Sequence, residues 1–201
     1  MDRKLRAPRF TRMSGEDRRA ALVSAGLACM AQGGIQAFTV DRICAEAGVS
    51  RGLITHHFGS MNGLLAAVYA RMYDDSTRPA HAAAPGATRL SALLDAFFVP
   101  ELFNRDTLNI WLALWGQISV NADLREEHRV QYPAYVRDVA AAIGAVAAQN
   151  GREVDAGMLA TTLIALVDGL GLQHCIDPGS MPADSARAAC RSLLEPHLGP
   201  F

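Results

Sequence analysis

Between positions 39 and 58 the chain reads TVDRICAEAGVSRGLITHHF, two short helical segments hinged on one glycine. Nothing else in the sequence restricts the fold as much. Thr39 can cap a first helix, Val40 to Ala47, which turns Val40, Ile43, Cys44 and Ala47 inward. Gly48 ends it. Ser50 can cap a second, from Arg51 to about Phe58, with Ile54 and Phe58 one turn apart. A helix-turn-helix needs a small residue where its helices cross, a turn residue that tolerates the left-handed conformation, and apolar plugs on both sides. Cys44, Gly48, Val49 and Ile54 meet those needs. The second helix would then present free N–H groups to phosphate and its first turn to base edges in a major groove.

The same run closes on adjacent histidines, His56 and His57. Helix neighbours point about 100° apart, and two side chains are too few to hold a metal. No metal site is expected. Elsewhere there is no nucleophile–base arrangement, phosphate loop or metal-ligand spacing, so neither catalysis nor a cofactor is expected. The competing class is a small helical enzyme using His56, His57 or Asp168, or a ligand-binding protein whose helix-turn-helix never meets DNA.

Net charge over the 201 residues is −1, but its distribution is uneven. Residues 1–60 carry nine Lys/Arg against five Asp/Glu, whereas residues 61–201 carry ten against fifteen. A basic front on an acidic body suits a polyanionic partner at the front. The four cysteines, Cys29, Cys44, Cys175 and Cys190, show no C-x-x-C spacing and read as small apolar residues in a reducing compartment. The start, MDRKLRAPRFTR before ALVSAGLACMA, imitates a secretion signal. Glu16 and Asp17 before the apolar run, and Ser24 and Gly26 inside it, argue against one. If the N-terminus were processed, a secreted helical protein would be the third class. No uninterrupted apolar run approaches a membrane span, so the expected location is cytoplasmic, with no membrane partner.

Helical periodicity continues along the chain. Residues 1–13 read as a flexible basic arm, and Ser14 to Gly34 as a helix with Leu22, Gly26, Cys29 and Met30 on one face. Ser60 can cap a longer helix, and DDSTRPAHAAAPGATR (74–89) reads as a loop. Beyond it come five more helical patterns, with a kink expected at Pro133, a stop at Gly151, a cap at Asp155 and a start near Pro182. No strand alternation appears. The expectation is an all-α chain of about nine helices: an arm (1–13), a helix-turn-helix domain (14–60), and a larger helical domain for ligand binding and dimerisation (61–201).

The run LVSAGLACMAQGGIQAFTVDRICAEAGVSRGLITHHFGSMNGLL (22–65) resembles the N-terminal domain of the TetR family of bacterial transcription regulators. The segment ALVDGLGLQHCIDPGSMPADSARAACRSLL (165–194) resembles the C-terminal helices of choline-responsive betaine-pathway repressors. The resemblance implies a homodimer on a double-stranded DNA operator, released by a small-molecule effector. It places the base-reading turn on Arg51, Gly52 and Thr55, a phosphate-touching cap at Thr39, and phosphate contacts at His56 and His57. Arg42 and Ser50 complete the expected DNA-binding set. Thr55 stands where the family usually has tyrosine, and Met61 where many members have a phosphate-gripping lysine. Weaker nonspecific affinity follows, which Arg3, Lys4, Arg6, Arg9 and Arg12 can offset from the minor groove.

In the body, Trp111 and Trp115 lie one turn apart, near Phe97, Phe98 and Phe103. They mark either plain core or a ligand pocket between helices, with Gln117, Tyr132, Tyr135, Asp168 and His174 as polar wall candidates. Gly171 stands where the betaine-pathway repressors typically carry tryptophan, so the effector is left unassigned. Leu159, Leu163, Leu166, Leu170, Ala186, Ala189 and Leu193 form the expected dimer interface, two helices from each copy.

Overall fold

Short polar residues open most of the helices, because the first N–H groups of a helix have no partner within it. The computed structural model describes residues 14–81 and 89–201. Helix α1 spans Gly15–Gly33, and the Ser14 hydroxyl accepts from Asp17 N–H at 3.0 Å while the Asp17 carboxylate accepts from Ser14 N–H at 3.1 Å. A 3-10 turn, Gly34–Ala37, leads to α2 (Val40–Ala47), α3 (Gly52–Phe58) and α4 (Met61–His81). Then come α5 (Arg89–Phe97), α6 (Arg105–Ile118), α7 (Ala122–Gln149), α8 (Ala156–Ile176) and α9 (Ala183–Leu198). Asn104, Asn121 and Asp155 cap α6, α7 and α8 through their side-chain oxygens, at 2.9, 3.1 and 2.9 Å. The described residues contain nine α-helices and no strand, which is the all-α architecture expected.

One boundary differs from the expectation. Residues 74–81, expected to open a loop, are the end of α4, which runs on to His81, and the rest of that expected loop up to 88 lies outside the described residues. Its last turns are held by i,i+3 and i,i+4 links: Arg71 pairs with Asp75 at 2.8 Å, Asp75 also pairs with Arg78, and the Ser76 hydroxyl donates to Met72 O at 2.8 Å. As expected, α7 is one helix, of 28 residues, with the exposed Pro133 inside it.

The apolar faces gather into two clusters. The first takes Leu22, Val23, Cys29 and Met30 from α1, Ile43 and Cys44 from α2, and Ile54 from α3. It does not stop there. Leu64, Leu65, Val68, Tyr69, Met72 and Tyr73 of α4, Ile110 and Leu114 of α6, and Leu124 of α7 belong to it. The second cluster unites α5, α7, α8 and α9 around Leu94, Ile143, Leu163, Ile164, Cys190 and Leu194. Each fully buried leucine or isoleucine here contributes ~1.5–3 kcal/mol. Gly15–Ala37 and α8 reach the length and hydropathy of a bilayer span, yet each turns an apolar face into one of these clusters.

The expected dimer residues divide accordingly. Leu163, Leu170 and Ala186 are buried inside the protomer, with Leu163 and Ala186 at 0 % exposure, and so they are not interface residues. Leu159, Leu166, Ala189 and Leu193 also lean on the inner cluster and are only half-exposed. Alternating turns of a helix cannot serve two partners with one stripe, and the leucine stripe of α8 serves the protomer's own core. The outward apolar residues of α8 are Met158, Leu172 and Ile176.

Candidate nucleic-acid interface and inter-helix cavity

The Thr39 hydroxyl accepts from Arg42 N–H at 3.4 Å and opens α2. Gly48 takes φ +64°, the left-handed conformation, and the next N–H, from Val49, reaches back to Cys44 O at 3.0 Å. This tight stop sets α3 against α2, with Ile54 buried between them and α1. Arg19 of α1 lies over the Phe58 ring at 5.0 Å, so Phe58 turns inward as expected. The Ser60 hydroxyl caps α4 through Gly63 N–H at 3.0 Å. A Cβ on Gly63 would collide with the Phe58 carbonyl oxygen, so glycine is what allows α4 to start hard against α3. Met61, in the place of the family's lysine, packs on the N-terminal core.

Thr39, Arg42, Ser50, Arg51, Gly52, Thr55 and His56 are all exposed around the α2–α3 corner. Two expectations are corrected. Ser50 does not cap α3 with its side chain; the helix opens at Gly52, and the Ser50 carbonyl accepts from Leu53 N–H at 3.1 Å. The histidines also part company. His57 is half-buried beside Gly15, its Nε2 shielded without a hydrogen-bond partner among the described residues, whereas His56 stays on the open surface. The expected arm, residues 1–13, lies outside the described residues.

The second feature is a cavity of about 290 Å³ bounded by α4, α5, α6, α7 and α8. Of the seven wall candidates, Trp111, Trp115, Tyr132, Tyr135 and Asp168 line it. Gln117 and His174 do not. Gln117 uses its carbonyl to end α6, accepting from Asn121 N–H at 2.9 Å. His174 bonds through Nδ1 to Met181 O at 2.8 Å, with its ring on Phe103. The sequence reading missed Tyr73, Ser76 and His128. Tyr73 carried a signal, one turn after Tyr69 on a helix already expected. His128 sits in a run of charges and carried none.

The walls are aromatic and mutually edged. Trp111 stacks on Trp115 at 5.6 Å, Tyr73 meets Trp111 edge-on at 5.2 Å, and Tyr135 meets Tyr73 at 5.7 Å. His128 stacks on Tyr132 at 5.1 Å. Asp168 faces this ring system half-buried, and among the described residues it forms no ion pair. Burial alone pushes its carboxyl up to about 6. Burial also raises Tyr73 to about 12 and lowers His128, favouring its neutral form. A Cβ on Gly171 would meet Leu108 Cδ2 at 2.9 Å, so Leu108 fills the space that the betaine-pathway tryptophan would need. Negative charge without a counter-ion, walled by π-faces, is an environment that attracts a cation.

Comparison with known proteins gives a family for each part of the chain. Residues 22–68 match the family model for bacterial regulatory proteins of the TetR family, and residues 86–199 match that for the BetI-type transcriptional repressor C-terminal domain. The chain is 29% identical over 187 residues to the HTH-type transcriptional regulator BetI of Vibrio vulnificus, covering 90% of this chain and 92% of that one. It is 31% identical over 188 residues to BetI of Agrobacterium fabrum, covering 92% and 89%. Among solved structures, a transcriptional regulator assigned in Pseudomonas aeruginosa PAO1 superposes with a TM-score of 0.81 at 34% identity, covering 94% and 93%. One assigned in Saccharomonospora viridis, in complex with choline, gives a TM-score of 0.74 at 26% identity, covering 90% and 96%.

Proposed function

We propose, from the premise that this chain belongs to the TetR family and carries a BetI-type repressor C-terminal domain, that its effector is a compact organic cation. The protein is a ligand-responsive DNA-binding regulator. As a homodimer it sets the two α3 helices in major grooves of a palindromic operator, with half-sites about 34–36 Å apart or a multiple of that spacing. A cation entering the cavity releases the operator. The observation that carries the effector class is Asp168, a carboxyl with no ion pair among the described residues, lining one cavity with Trp111, Trp115, Tyr73, Tyr132 and Tyr135. Choline bound to the Saccharomonospora viridis relative supports the reading. The dimer face in this reading is the outer side of α8 with α9, where Met158 and Ile176 are 63% and 70% exposed. A small helical enzyme is the weaker alternative, since the titratable groups of the cavity frame no nucleophile.

Tryptophan emission tests the effector class directly. Choline and its neutral carbon isostere, 3,3-dimethylbutanol, are titrated with and without operator duplex. The expected result is a shift from choline alone, weakened by the duplex, because a ligand that lowers DNA affinity must lose affinity to DNA by the same factor. Equal binding of the neutral isostere would make the cavity an apolar site and remove the cation.

A further inference from the structure

Arg51 at the head of α3 is held by Asp41 of α2, with Nη2 2.6 Å from Oδ1. Both side chains are largely exposed, 73% and 67%, so the pair stands on the open face rather than inside the fold. The location is costly for an acid. Asp41 lies two residues after the Thr39 cap, on the corner that the regulator reading turns toward phosphates. A carboxylate there repels DNA and cancels one cation of a face on which Arg42 and Arg51 are the arginines of α2 and of the turn into α3.

The geometry shows what is gained. One oxygen of Asp41 takes one guanidinium nitrogen, which leaves the other donors of the Arg51 fork facing solvent. A guanidinium fixed at one end presents its free edge in one orientation, the condition for two parallel hydrogen bonds to guanine O6 and N7. The same pairing makes Arg51 a poor partner for phosphate. Its charge is already met, so a phosphate contact would have to compete with the Asp41 ion pair. We infer that Asp41 is a specificity-determining residue: it positions Arg51 for a guanine edge and withholds it from the DNA backbone. This rests on the DNA-reading role of α3.

Neither residue is buried, so substitutions leave the core intact, which circular dichroism checks. The probes are a pool of 40-base-pair duplexes with randomised centres and one duplex of fixed unrelated sequence. Wild type, Asp41→Ala, Asp41→Glu, Arg51→Ala and the Asp41→Ala/Arg51→Ala double variant are compared. In Asp41→Ala, guanine enrichment at one position of each half-site should fall about two- to fivefold, the scale of an exposed pair. Its affinity for the unrelated duplex should rise, with the log–log salt slope steeper by about 0.9 as the freed Arg51 takes a phosphate. Asp41→Glu, which keeps the carboxylate, should restore part of the guanine preference, which a folding effect would not do selectively. With Arg51 absent, removing Asp41 should no longer alter the base preference. If Asp41→Ala leaves that preference intact, the inference is overturned and Asp41 is a solvated charge. A wild type that enriches no motif would overturn the regulator reading itself, and the inference with it.

Discussion

The Tyr69 hydroxyl lies 2.7 Å from Nδ1 of His128 and 3.2 Å from the Tyr73 hydroxyl. Tyr69 is 0% exposed and belongs to the N-terminal core, while His128 and Tyr73 line the cavity. The Trp111 ring meets Tyr69 edge-on at 5.9 Å. One side chain on α4 therefore feels both the cavity and the helices that carry the reading face. Tyr69→Phe keeps the ring and its packing but removes the bond to α7. Both ligand and operator should still bind, and their mutual opposition should shrink by about 1 kcal/mol, roughly fivefold, the worth of one hydrogen bond. The check is the ratio of choline affinities with and without operator; an unchanged ratio would take the coupling elsewhere.

Asp168 gives a pH dependence whose sign is fixed. A cation favours the ionised carboxyl, and burial sets the titration near about 6. Choline affinity should be flat above pH 7 and weaken by up to about tenfold per unit below 6. In stability the sign is reversed. The folded carboxyl holds its proton above its ordinary value of 3.8, so wild type loses stability as pH rises from there through about 6. Asp168→Asn should bind choline poorly at every pH. It should melt above wild type at pH 7, with the gap closing toward pH 4; a gap that does not vary with pH would rule out the titration of Asp168.

The dimer proposal separates two kinds of substitution on one helix. Ile176→Arg, at an outward position, should leave a folded monomer in sedimentation equilibrium, because the interface would bury an unpaired charge. Leu163→Arg places that charge inside the protomer's own core and should unfold it. A dimer that survives Ile176→Arg together with Met158→Arg would locate the interface off α8.

How far the sequence foretold all this depended on whether a feature was local. Caps at Ser14, Thr39, Ser60 and Asp155 were legible because each acts on an N–H three residues away. The helix-turn-helix was legible for the same reason: Gly48 and its flanking plugs lie within a dozen residues. The cavity was half legible. Trp111 and Trp115 share a helix face, and so announce themselves, but Tyr73 and Ser76 of α4 and His128 of α7 meet them only through packing. The α8 leucines misled because an apolar stripe says that a face is buried, not whether the chain itself or a second copy buries it. Ser50 misled because a serine before a helix is a cap only when the backbone turns its hydroxyl to the right N–H.

The first cluster counts Leu64 and Tyr69 of α4, Ile110 and Leu114 of α6 and Leu124 of α7 among its members, and the neighbouring Trp111 packs against it while lining the cavity. Reader and sensor are thus not interchangeable cassettes. A chimera joined at Ser60, giving this body another regulator's first three helices, would seat the foreign helices on Leu64, Ile110 and Leu114, residues shaped for a different partner. If Arg51 and Thr55 read bases as proposed, rewiring this regulator to a new promoter is a matter of re-cutting surface letters around them, while the seat beneath is inherited whole.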